Sequence, residues 1–66
     1  MTGPEKLRHL IPHWIEHNHE HAGEFRRWAG EAGAAAPDVL AAADALVRVN
    51  EALNAALAKL DAARSE

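Results

Sequence analysis

Residues 28–40, WAGEAGAAAPDVL, decide how this chain folds. Gly30 and Gly33 supply a stop signal for whatever helix precedes them, because glycine adopts the backbone conformations that close a helix. Pro37 suits the opening of a second helix, where its missing N–H costs no intrahelical bond. Asp38, in the same first turn, complements the helix dipole. The small residues between are a linker, and on each side lies a stretch with helical periodicity. The boundaries predicted from these signals are a helix over about 4–30, a linker over 31–36 and a helix over 37–63.

Working toward the amino terminus, Thr2-x-x-Glu5 has capping-box spacing, in which each side chain can bond the other's backbone N–H. Apolar positions then recur at Leu7, Leu10, Ile11, Trp14, Phe25, Trp28 and Ala29, with Asn18, His21 and Ala22 in the middle. On a helix these fall within a stripe of roughly 100–120°. Pro12 removes one donor and crowds the preceding turn, so the expectation is one helix with a kink there. Toward the carboxyl terminus, Val39, Ala42, Ala43, Leu46, Val49, Asn50, Leu53, Leu57 and Leu60 form a nearly heptad seam. The fold class that follows is all-α, an antiparallel two-helix hairpin with arms of roughly 40 Å.

Composition bounds the rest. A 66-residue chain with no cysteine has neither disulfides nor thiolate metal sites to reinforce a small core. Seven Lys and Arg against ten Asp and Glu argue against a nucleic-acid binder. No apolar run reaches the roughly 20 residues that span a bilayer, and the amino terminus lacks signal-peptide character, so a cytoplasmic protein is expected. Two helices alone leave part of each apolar stripe uncovered, with Trp14 and Trp28 among the exposed residues. A twofold homodimer forming a four-helix bundle would cover them.

The chemistry concentrates in HWIEHNHEH, residues 13–21, which with His9 holds all five histidines. His9, His13, His17 and His21 recur every fourth residue, each rotated about 40° from the last. His19 stands on another face. Histidines at i and i+4 set two imidazoles over one turn, the geometry of helical metal sites. The candidate ligands are therefore His17 and His21, with His13 and Glu24 next, and Asn18 and Asn50 as outer groups that orient imidazoles. Nitrogen and oxygen ligands favour a divalent transition metal: Zn²⁺, Ni²⁺, Co²⁺ or Cu²⁺. The function expected is metal storage, delivery or sensing, with a metal-donor or acceptor protein as partner. The competing readings are a dimeric structural module whose histidines respond to pH and, further off, haem binding between symmetry-related histidines. No residue pattern names a substrate, so an enzyme is not expected.

Residues Leu10 to Ala29 resemble a family of short, uncharacterised bacterial and archaeal helical-hairpin proteins. Its pattern reads L-x-P-H-W-I-E-H-N-x-x-H-x-x-x-F-x-x-W-A. Leu10, Pro12, His13, Trp14, Ile15, Glu16, His17, Asn18, His21, Phe25, Trp28 and Ala29 match it. Asn50, Glu51, Ala52 and Leu53 match a further stretch of the second helix, with Val49 where the pattern has alanine. His19 departs from it, standing where an acidic residue is common. The resemblance implies no activity; it implies that His13, His17, Asn18 and His21 belong to a shared signature.

Overall fold

The computed structural model describes residues 2–64, with side-chain surroundings described through residue 63. The chain forms α1 (Gly3–Ala29), a three-residue 3-10 turn (Gly33–Ala35) and α2 (Ala36–Arg64). No strand occurs among the described residues. The two helices lie side by side in a rod of 51 × 16 × 13 Å. Its radius of gyration is 15.2 Å, against about 11 Å for a compact domain of this length.

Local chemistry sets the ends. The Thr2 side chain accepts a hydrogen bond from the Glu5 backbone N–H at 3.3 Å, which supplies one half of the expected capping box. α1 then runs unbroken through the exposed Pro12 to Ala29. Bonds spanning three residues, Gly30 to Arg27, Glu31 to Trp28 and Ala32 to Ala29, draw in its last carbonyls. The reversal follows at Gly33, which has φ +55°. Gly30, the other expected stop residue, has an ordinary helical φ of −61°. α2 begins one residue earlier than Pro37, so the proline sits inside its first turn.

The core is thin. The buried hydrophobic residues are Ile11, Ala22, Ala29 and Ala43, and no large side chain is fully enclosed. Ile11, at 2% exposure, contributes about 1.5–3 kcal/mol by leaving water. Leu7, Ile15, Asn18 and Phe25 of α1 are half-buried, as are Val39, Leu46, Asn50, Leu53, Leu57 and Leu60 of α2. The seam thus runs along Leu7, Ile11, Ile15, Asn18, Ala22, Phe25 and Ala29. Leu10, Trp14 and Trp28, expected in the same stripe, stand outside it. On α2, Ala42 and Val49 are also exposed. One narrow helix covers only the middle of a stripe 100–120° wide, so the flanking positions face solvent. At the open end the Arg8 guanidinium donates to the Leu60 carbonyl at 3.3 Å and ties the two helices together.

Two glycine substitutions separate the turn from the helix. Gly33→Ala should destabilise the protein by about 1–2 kcal/mol, because a left-handed φ costs a side-chain-bearing residue that much. Gly23 lies in mid-helix with open space where a Cβ would stand. Gly23→Ala should therefore stabilise by about 0.5–1 kcal/mol. Urea unfolding followed by circular dichroism measures both shifts, and a Gly33→Ala variant as stable as the parent would contradict the assigned turn.

Candidate functional site

The histidine-bearing side of α1 is built by rotation. With Ile11, Ile15 and Ala22 turned toward α2, the positions centred about 120° away become Leu10, Trp14, His17, His21, Glu24 and Trp28. These residues form a ridge, alternating steps of four and three along the helix. At its centre His17 Nε2 and His21 Nε2 are 2.9 Å apart, a hydrogen bond in which one ring donates and the other accepts. Their rings meet edge to face with centroids 4.4 Å apart. On the other side of His21, its Nδ1 lies 3.6 Å from Glu24 Oε1. The His21 ring also lies against Phe25, tilted by 35° with centroids 6.1 Å apart.

This arrangement sorts the expected ligands. His17 and His21 bring their Nε2 atoms to within 2.9 Å of each other. On metal–nitrogen bonds of about 2.0–2.1 Å, two ligands at a right angle stand about 2.9 Å apart and two tetrahedral ligands about 3.4 Å apart. The pair is therefore set within a few tenths of an ångström of a chelating separation. Glu24 faces Nδ1 rather than Nε2, so its place is beside the ring and not at the chelating point. A carboxylate on the far side of a histidine ring is an arrangement that recurs behind metal-bound histidines. His13 is exposed one turn before His17 and joins none of these contacts. His19 is exposed on another side of the helix. Among the described residues no group of three His, Asp or Glu side chains converges on one point. One chain brings two nitrogens together, and His13 stands two rungs from His21, about 80° around and about 12 Å along the helix.

Asn18 and Asn50 meet, as their equal distances from the turn require. Asn18 Nδ2 donates to Asn50 Oδ1 at 3.1 Å, and Asn50 Nδ2 donates to the Ile15 carbonyl at 3.0 Å. Their amides are spent on each other and on the backbone between the helices. Neither is bonded to an imidazole, and the carboxylate of Glu24 is the group beside a ring nitrogen of His21. Helix spacing gives the flank on which Glu24 lies but not the ring atom it faces.

The ridge's neighbours complete the picture. Trp14 and Trp28 are 43% and 54% exposed, and the Arg27 guanidinium covers part of the Trp28 ring at 5.2 Å from its centroid. Arg26 pairs with Asp44 of α2 at 3.8 Å, both largely in solvent, where such a pair is worth little. No helix among the described residues is long and apolar enough to cross a membrane.

A helical hairpin carrying a histidine ridge on its first arm is the class of protein these features define. The chain belongs to a family known as a domain of unknown function (DUF8180), whose model matches residues 7–60, from the first seam leucine of α1 to the last of α2. No curated relative and no solved structure matches it.

The asparagine pair yields a double-mutant test. Asn50→Leu alone strands the half-buried Asn18 amide, and an unpartnered buried polar group costs about 1–3 kcal/mol. Replacing both partners removes that penalty. The Asn18→Leu/Asn50→Leu protein should therefore be more stable than either single variant, with a coupling of about 1 kcal/mol or more by chemical denaturation. Additive effects would show that the two amides do not act as a pair.

Proposed function

We propose that this protein binds a divalent transition metal through the imidazoles of His17 and His21, for storage, delivery or sensing of that metal. The observation that carries the reading is the 2.9 Å approach of the two Nε2 atoms, with the Glu24 carboxylate on the opposite nitrogen of His21. Two exposed rings facing each other have a polar alternative in water; holding them together costs side-chain freedom that a shared ion repays. The nitrogen donors suit Zn²⁺, Ni²⁺, Co²⁺ or Cu²⁺, and a tetrahedral Zn²⁺ takes the pair once the two rings part by about 0.5 Å. The resemblance of residues 10–29 to a shared signature containing His13, His17, Asn18 and His21 supports a retained site. A metal-donor or acceptor protein is the natural partner of such a carrier. A second reading rests on the same contact: without a metal, the His17–His21 hydrogen bond is a surface feature of a dimeric structural module.

Calorimetric titration of protein made without an affinity tag tests the first reading. His17→Ala and His21→Ala should each weaken Zn²⁺ binding at least tenfold. Glu24→Gln should weaken it by about 10–100-fold, the usual cost of losing an orienting carboxylate. His19→Ala should leave affinity unchanged. Equal losses from His17→Ala and His19→Ala would reveal diffuse surface chelation and sink the proposal.

A further inference from the structure

The ridge on α1 has two properties that its role as a two-nitrogen chelator leaves unused. First, it is apolar at both ends and imidazole in the middle: Leu10 and Trp14 lie before His17 and His21, and Trp28 lies after them. Leu10 and Trp14 are each 43% exposed and Trp28 54%, large hydrophobic surface presented to water beside a polar centre. Val49 of α2 is 45% exposed and turned about 100° from Asn50, which brings it to the same side of the rod. Second, the positions of the ridge, though not all its residue types, are symmetric. Leu10 and Trp28, Trp14 and Glu24, and His17 and His21 are each placed symmetrically about the level of residue 19.

We infer that a second copy of this chain packs on that ridge, α1 against α1 in antiparallel sense, so that the His17 and His21 pairs of both copies meet on one twofold axis and enclose a single divalent ion. This rests on the metal reading above and completes it. Symmetry about residue 19 puts Leu10 against Trp28 of the second copy, closing the apolar ends over each other. It puts His17 against His21 of the second copy at the centre, giving four Nε2 donors. It also brings the Trp14 indole N–H toward Glu24 of the second copy, a donor beside a carboxylate. Each chain alone offers two nitrogens, and four nitrogens is the coordination number that a closed zinc site uses.

The chain exposes 4814 Å² in an elongated rod, so one long side has room for the ~800 Å² that each partner contributes to a standard interface. The occupant is a second copy rather than an unrelated helix because the pattern is self-complementary, the condition a twofold interface imposes.

Two measurements test the pairing, and the chain's lack of cysteine makes the first clean. In a Leu10→Cys/Trp28→Cys variant the two thiols are about 27 Å apart along one helix and cannot bridge within a chain. Oxidation should yield a covalent dimer on non-reducing electrophoresis, whereas Leu10→Cys and Trp28→Cys alone should not. Cross-linking of either single variant indicates a parallel arrangement and overturns the inference. The second measurement uses the unaltered protein. Native mass spectrometry with added ZnCl₂ should show one zinc per two chains, and sedimentation should show zinc tightening the dimer at least tenfold, an effect lost in His17→Ala. Zinc bound one per chain by a monomer overturns the shared site while sparing the proposed function. A double-cysteine dimer that takes up no zinc upholds the antiparallel pairing and ends the metal reading.

Discussion

The hydrogen bonds joining Asn18, Asn50 and the Ile15 carbonyl set the relation on which everything else depends. Leucine and alanine side chains pack against each other almost equally well after a slip of one turn, so a seam made of them defines register weakly. Amides do not have that tolerance, because a slip separates donor from acceptor and leaves both without partners. One polar layer therefore fixes the axial match of the helices, as a single core asparagine does in coiled coils. Through that match it fixes which side of α1 is turned inward and which carries the histidines outward.

Small residues govern how the two helices meet. Ala22, Ala29 and Ala43 are buried where bulkier side chains would hold the backbones apart. Close approach narrows the seam, and a narrow seam leaves the large aromatic side chains on its flank. The exposure of Trp14 and Trp28 is thus a consequence of burying alanine. The same cause leaves His17 exposed and His21 half-buried on the flank of the rod.

Much of this architecture is legible from the residues. Two periodic stretches around a glycine-rich break specify a helical hairpin, and counting from that break places Asn18 and Asn50 at one height. Rotation was less legible. Leu10, Ile11, Trp14 and Ile15 fall within a single broad arc, and hydrophobicity gives no means of dividing an arc between an inner and an outer half. The division comes from packing, which selects Ile11 and Ile15 and rejects Leu10 and Trp14. At the site, the four-residue spacing identifies the His17–His21 pair, since adjacent rungs of a helix bring side chains together without help. Spacing does not say which ring nitrogen meets Glu24; that depends on side-chain torsions set by Phe25 and by the neighbouring imidazole.

Arg8 reaching the Leu60 carbonyl closes a loop of 52 residues, whereas the asparagine bond closes one of 32. Contacts nearest Gly33 close the shortest loops of all, so they form at the smallest entropic cost. A hairpin of this kind zips shut from its turn and unzips from its free end. Brief openings of the native protein release Leu7, Arg8 and Leu60 first, and they must travel past Ile11 and Ile15 before they reach the amide layer. The imidazoles sit on the turn side of that advancing fork, so they keep their mutual geometry through motions that continually separate the tips of the two helices.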